Sequence, residues 1–230
     1  MSVSATNIEI NLRIVALAVK SLIRSEMKDV RAYIEKIEKF LDDEEVKAVE
    51  RAKKYAQDSV DESDESAAAN DLLSGMMIYM RHGRHLNIFA KTSVMMVYSC
   101  FENVMSQVTE FMASARASVK RPDGVKGGSV IENRKEYLER YHGFNFEKMA
   151  EEWARIEDFR ELRNILVHNN GGVGGRYKVI FDTRLKGISG LSVSFGSVVV
   201  EVSYVLEVLV DIECYLNELH RQLDALVAGR

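Results

Sequence analysis

Apolar residues recur every three or four positions along most of this chain, which is the spacing of helices with one buried side. Over residues 8–56 the pattern predicts two helices that meet near residues 25–28. A nearly continuous apolar face over residues 86–117 predicts the central core helix. Two shorter helices are predicted beyond it, at residues 131–141 and 146–167.

The pattern changes to strict alternation after residue 175, where β-branched and aromatic residues become frequent. Residues 176–181, 191–195 and 198–202 predict short strands joined through a hairpin. Ser203 predicts the start of a last amphipathic helix, because a serine side chain accepts hydrogen bonds from the free amides of a helix N-terminus. The predicted fold class is mainly all-α, with a short β-hairpin before the last helix.

One acidic segment separates the first helical pattern from the core helix. Residues 58–70, DSVDESDESAAAN, contain few large apolar side chains and no periodic stripe, which predicts a solvated linker or loop. The chain is therefore expected to consist of an N-terminal helical extension with this linker, residues 1–70, and a helical domain, residues 71–230.

Composition narrows the functional classes. Proline occurs once and 47% of the residues are hydrophobic, which favours a helical protein with a substantial core. The net charge of -4 and the pI near 5.8 argue against a broad, sequence-independent nucleic-acid binder, which normally has a basic surface. Any contact with RNA must therefore be local.

The cysteines and the hydrophobic segments indicate the cellular compartment in which the protein is expected. Cys100 and Cys214 lie in apolar helical patterns and lack metal-ligand spacing, which predicts buried thiols in a reducing compartment. The apolar residues 14–23 are too few for a membrane span, which needs about 20 residues. A signal-peptide cleavage pattern is also missing. We therefore expect a cytoplasmic protein without a membrane partner.

An arginine and a histidine lie five positions apart where a helix is predicted to end. Arg163 offers a permanent cation with a planar set of donors that suits a phosphate, and His168 is the type of side chain that moves protons near neutral pH. Asn164 is one turn before His168, on the same polar flank. The segment 169–172, NNGG, is typical of a helix C-terminus, whose dipole favours a protonated imidazole.

Two interpretations of these residues remain open at this stage. Arg163 and His168 form a site for phosphodiester chemistry, or Arg163 is a structural ion-pair partner and His168 part of the helix end. Glu102 lies at the edge of the apolar face of the core helix, where a half-buried carboxylate needs a cation. Arg163 is the obvious partner for it.

The segment 159–172, FRELRNILVHNNGG, resembles the signature of the HEPN superfamily, in which an arginine is followed after four to six residues by a histidine. The core-helix segment 98–103, the hairpin and the last helix resemble the layout of the same family, so residues 70–230 are covered. The resemblance implies an antiparallel helical bundle that forms a homodimer. In that dimer two copies of Arg163 and His168 build one cleft.

The resemblance also implies metal-independent cleavage of RNA, with no cofactor, in toxin–antitoxin, antiphage or stress systems. Arg163 and His168 correspond to the motif, and Asn164 to the polar position that often follows the arginine. An acidic residue on the core helix belongs to the site in some members, so Glu102 is either a site residue or an ion-pair partner that only orients Arg163.

These observations support two hypotheses about function. In the first, the chain is a homodimeric endoribonuclease in which a ribose 2′-hydroxyl attacks the adjacent phosphorus, His168 moves a proton and Arg163 stabilises the developing charge. In the second, it is a non-catalytic HEPN-like module that binds a protein or RNA. A neutralising antitoxin or another regulatory protein is an expected partner, and residues 1–70 are a candidate segment for silencing the site.

Overall fold

The computed structural model describes residues 5–59, 65–115 and 128–229 of the chain. Those ranges contain six α-helices and one two-stranded antiparallel sheet. The helices are α1 (Ala5–Ser59), α2 (Glu65–Ala115), α3 (Val130–His142), α4 (Ala150–Asn169), α5 (Arg176–Ile180) and α6 (Val202–Val227). The strands are β1 (Leu191–Ser194) and β2 (Ser197–Val200). The predicted class, mainly all-α with a β-hairpin directly before the last helix, is confirmed.

Helices α2 and α6 form the centre of the bundle. They pack against each other, and α1 and α4 each contact both of them, while α3 packs on α2. Large side chains such as Phe101, Phe159 and Tyr215 are fully buried between these helices. Removing each such apolar side chain from water contributes roughly 1.5–3 kcal/mol before conformational entropy is subtracted.

Helix α1 is a single helix, so the predicted break near residues 25–28 is wrong. The apolar stripe continues through that region, because Ile23, Met27 and Val30 are all buried against the bundle. Neither glycine nor proline occurs between residues 5 and 59, so no residue type there terminates a helix.

The predicted acidic linker is also largely helical where the structure describes it. Residues 58–59 belong to α1 and residues 65–70 to α2, while residues 60–64 lie outside the described part of the chain. Helix α2 thus begins 21 residues before the predicted core helix. The boundary at residue 70 between an extension and a domain stays a prediction.

Beyond Ile34 of α1 and before Ala90 of α2, none of the described side chains is fully buried. In these parts the two helices run antiparallel beside each other. The Tyr33 and Phe89 rings are 6.5 Å apart, and Nε2 of His82 on α2 lies 3.3 Å from Asp42 and 3.2 Å from Glu45 on α1. We call residues 35–59 and 65–89 the arm.

The strand predicted at residues 176–181 is helical, which is the largest error in this region. Helix α5 continues as a turn of π-helix to Leu185. Tyr177, Phe181 and Leu185 are four residues apart and all buried, so the helical period of the buried positions outweighs the local alternation. The hairpin of β1 and β2 is confirmed, with Leu191 opposite Val200.

Two smaller predictions also need correction. Helix α6 begins at Val202 with Glu201 as its N-cap, so Ser203 is inside the helix. Cys100 is half-buried and Cys214 is exposed, so the prediction that both thiols are buried is wrong. Neither cysteine forms a disulfide bond. Among the described residues, no helix is long and apolar enough to cross a membrane.

Candidate functional site

Helix α4 ends as its sequence predicts, and this ending fixes the position of His168 in its last turn. Asn170 and Gly171 both adopt the left-handed conformation, with φ of 50° and 77°, and the Gly171 amide donates to the Ile165 carbonyl at 3.1 Å. The side-chain amide of Asn169 donates to the Gly172 carbonyl at 2.6 Å. The first bond satisfies a carbonyl group near the helix end, and the second fixes the turn that follows it.

The β-hairpin holds this end of α4 in place. The amide of Val198 donates to the Gly171 carbonyl at 2.8 Å, and the Ser197 hydroxyl donates to the same carbonyl at 3.2 Å. Lys91 of α2 reaches the same point, with Nζ 3.4 Å from the Ser197 hydroxyl oxygen. Burial lowers the pKa of Lys91. The lysine places a cation beside the negative end of the helix dipole.

Arg163 lies half-buried between α4 and α2. Its guanidinium carbon is 5.6 Å from the centre of the Tyr98 ring, within the range of a cation–π contact, and Nη1 donates to the Asn164 side-chain oxygen at 3.4 Å. Among the described residues, no carboxylate comes within 4.0 Å of this guanidinium. Most of its donors therefore remain available to an anion.

Glu102 lies half-buried one turn after Tyr98 on α2. Burial raises the pKa of Glu102, while the positive charge of Arg163 and the Tyr98 hydroxyl oppose that rise. In the described part of the chain the expected ion pair between Glu102 and Arg163 is not formed at contact distance. The charge of Arg163 thus influences the pKa of Glu102 without a direct contact between the two side chains.

Asn164 and His168 lie one helical turn apart, as the spacing predicts. Asn164 is half-buried and in contact with Arg163, whereas His168 is exposed and makes no hydrogen bond or ion pair to the described residues. Arg163 and Glu102 thus both lie beside Tyr98, and Asn164 contacts Arg163. His168 lies one turn closer to the helix end, open to solvent.

A second charged cluster, which sequence reasoning missed, surrounds Arg160. Its guanidinium contacts Glu132 of α3 at 3.2 Å, Glu157 at 2.8 Å and Glu161 at 3.1 Å. Glu132 also forms a capping box with Ser129 at the start of α3, which ties that helix end to α4. The capping-box spacing from Ser129 to Glu132 was the sequence signal that could have placed Glu132 at a helix start.

This Arg160 cluster is more enclosed than the surroundings of Arg163. The side chains of Arg160, Glu157 and Glu161 expose only 13–17% of their surface. Burial raises the pKa of Glu157. Burial acts in the same direction on Glu132, but the Ser129 amide and the charge of Arg160 outweigh it and lower the pKa of Glu132.

Within the ranges that the structure describes, no group of three or more histidine, cysteine or carboxylate side chains has an arrangement that could hold a metal ion. Comparison with known proteins gives no family profile, no curated protein and no solved structure that matches the chain. The resemblance to the HEPN superfamily therefore depends on the motif and its surroundings.

Proposed function

We propose that this protein is a metal-independent endoribonuclease of the HEPN type, with a site composed of residues from two copies of the chain. The observation that carries the proposal is the state of Arg163. A half-buried guanidinium is costly unless an anion meets it, and no described carboxylate does so at contact distance. A phosphodiester supplies the missing charge with matching geometry.

The proposed reaction needs only the side chains of the site. The 2′-oxygen of a ribose attacks the adjacent phosphorus while its proton leaves to a base. The bond from phosphorus to the 5′-oxygen of the next nucleotide breaks, and that oxygen takes up a proton. The products are a 2′,3′-cyclic phosphate and a 5′-hydroxyl. Arg163 stabilises charge on the non-bridging oxygens, and Asn164 holds the guanidinium in place.

Proton transfer at both ends of this reaction supports a second copy of the chain. The attacking and leaving oxygens lie on opposite sides of phosphorus, so one imidazole does not reach both of them. A second copy places its own His168 on the other side. Two exposed apolar side chains are close in sequence to the site residues, Met95 three positions before Tyr98 on α2 and Val167 next to His168 on α4. Exposed apolar side chains favour a face that another chain covers.

Such an enzyme requires control in the cell. We propose a toxin or an effector in antiphage or stress responses, restrained by an antitoxin or another regulatory protein. The alternative function is a non-catalytic module that keeps Arg163 for its contact with Tyr98 and binds protein or RNA. That contact at 5.6 Å is the specific observation in its favour.

The decisive experiment measures cleavage of single-stranded RNA in EDTA by the parent protein and by Arg163→Ala and His168→Ala variants. His85→Ala is the matched control, because His85 is also exposed but lies on the arm. We expect cyclic-phosphate ends from the parent and the control, and a loss of at least about 100-fold in both site variants. Equal cleavage by all four proteins would show a contaminant, and no cleavage by any of them would favour the non-catalytic module.

The shared site has its own test. The parent should sediment as a dimer, and a charged substitution at the flanking residue, Val167→Glu, should yield single copies with much less activity. Full activity in a strictly monomeric protein would contradict the two-copy site.

A further inference from the structure

A groove of about 430 Å³ lies between α1 and α6, and no residue of α4 lines it. Its floor contains the buried apolar side chains Ile23 and Met27. Asn217 and His220 of α6 form part of the opposite wall. The size is within the range of ordinary ligand-binding clefts, so the groove has room for more than solvent.

The charge of this groove differs from that of the whole chain. Four cations line it on successive turns of α1, namely Lys20, Arg24, Lys28 and Arg31. Glu213 is the carboxylate in the lining, and it pairs with Arg31 at 2.8 Å. Among the described residues, no carboxylate lies within 4.0 Å of the other three. A chain with a net charge of -4 thus concentrates positive charge at one place.

The cations form a line along α1. Their separations of four, four and three residues place neighbouring side chains about 5–6 Å apart along the helix, over a total of roughly 16 Å. A compact phosphate group needs cations that converge on one point, whereas a line of cations suits an extended chain of negative charges. We call these four residues the basic ridge.

Among the residues that the structure describes, the groove lining contains no phenylalanine, tyrosine or tryptophan, and His220 is the one ring in it. Stacking of bases on aromatic rings normally supplies much of the affinity for unpaired nucleotides. The basic ridge therefore suits contact with a phosphate backbone, whose affinity is electrostatic and independent of base sequence.

We propose that the groove between α1 and α6 binds the phosphate backbone of single-stranded RNA at the basic ridge, apart from the Arg163 site. The choice of RNA as the polyanion rests on the proposed function. In an acidic protein, a local basic groove offsets the overall repulsion of RNA and retains the strand near the molecule. The strand then extends around the bundle towards α4.

The test measures binding, so that it does not depend on cleavage. A labelled single strand of about 20 nucleotides is titrated with the His168→Ala protein, over roughly 50 to 200 mM salt. A second protein carries Lys20→Gln, Arg24→Gln and Lys28→Gln in addition. The matched control carries Lys36→Gln, Lys39→Gln and Lys53→Gln, three exposed lysines on the arm of the same helix.

We expect the ridge variant to bind RNA at least about tenfold more weakly than the His168→Ala parent. The slope of log affinity against log salt should fall by about 2, because each phosphate contact on a single strand contributes about 0.7. The control should stay within about twofold of the parent, since it loses the same charge elsewhere. Circular dichroism checks that all three proteins keep their helix content.

Several results would overturn the proposal. These are no RNA binding by the parent, equal binding by the ridge variant, or an equal loss in the arm control. Loss of binding to anionic phospholipid vesicles without loss of RNA binding would assign the ridge to a membrane surface instead. If the wild-type chain binds RNA through the ridge but does not cleave it, the nuclease proposal is refuted and the groove proposal stands. If the ridge variant cleaves and binds RNA as the parent does, the groove proposal is refuted and the nuclease proposal stands.

Discussion

Arg160 and Arg163 lie three residues apart on the same helix, yet their surroundings are opposite. Arg160 meets three carboxylates at 2.8–3.2 Å and is almost enclosed. Arg163 has an aromatic ring, a side-chain amide and the distant field of Glu102, with no described carboxylate at contact distance. The comparison separates a cation that holds elements together from one that is available to a ligand.

The two arginines also face different neighbours. Arg160 joins α4 to the start of α3 through Glu132, so its charge is used in connecting helices. Arg163 lies further towards the helix end, beside α2 and close to the exposed His168. Residue type alone does not distinguish them, because both are arginines on the same helix. The positions of the carboxylates do so, since Glu157 and Glu161 of α4 and Glu132 of α3 all contact Arg160.

The largest expected effect concerns activity. Arg163→Gln should lower RNA cleavage at least about 100-fold, because the developing phosphate charge loses its cation. The free energy of unfolding should change by less than about 1 kcal/mol, since no ion pair at contact distance is lost. Urea unfolding and cleavage assays on the same preparation check both. A variant that unfolds readily would assign Arg163 a structural role instead.

The opposite pattern is expected at Arg160. Arg160→Gln leaves the enclosed Glu157 and Glu161 and the half-exposed Glu132 without their cation, and it should lower the free energy of unfolding by roughly 2–3 kcal/mol. Arg155→Gln is the matched control, because Arg155 pairs with Asp211 but is half exposed, and it should cost less than about 1 kcal/mol. If Arg160→Gln and Arg155→Gln lower the free energy of unfolding equally in urea, the structural role of Arg160 is contradicted.

A smaller effect is expected at Glu102. If this carboxylate only orients Arg163 through its field, Glu102→Gln should lower the cleavage rate by no more than about tenfold and leave both limbs of the pH–rate profile in place. Glutamine keeps an oxygen for the Tyr98 hydroxyl. Loss of one limb of the profile would instead make Glu102 a residue that itself transfers a proton.

The smallest effect is a pH dependence in the Arg160 cluster. Burial raises the pKa of Glu157, so between the unfolded and folded pKa values the folded chain holds more protons and stability falls as pH rises. Glu157→Gln removes this contribution. The variant should therefore gain stability relative to the parent as pH rises above the ordinary value of 4.5. Urea unfolding at several pH values checks this; a constant difference would contradict it.

Much of the fold could be predicted from periodicity, because apolar residues that recur at helical spacing have to be buried together. The core of α2, helices α3, α4 and α6, and the hairpin follow directly from it. Residues 176–181 mislead, since their local alternation conceals a longer helical spacing of Tyr177, Phe181 and Leu185. The first part of α2 was missed because its apolar side chains, such as Leu73 and Met76, are exposed and form no clear buried stripe.

The candidate site was predictable in its members but not in its contacts. The spacing of Arg163, Asn164 and His168 places them near one helix end, and the glycines show where that helix stops. The contact with Tyr98 and the fixing of the helix end by Lys91 and Ser197 depend on how α2 and the hairpin pack. Those are contacts between residues far apart in sequence, which periodicity does not specify.

Helix α1 is 55 residues long, which corresponds to about 80 Å without a joint. The same helix carries the basic ridge near its middle and half of the arm at its C-terminal end. A partner that binds the arm and rotates it would therefore also rotate the basic ridge, because both belong to one continuous helix. Shortening the arm by one residue would rotate its outer part by about 100° relative to the ridge, while removing a whole number of turns would preserve the angle.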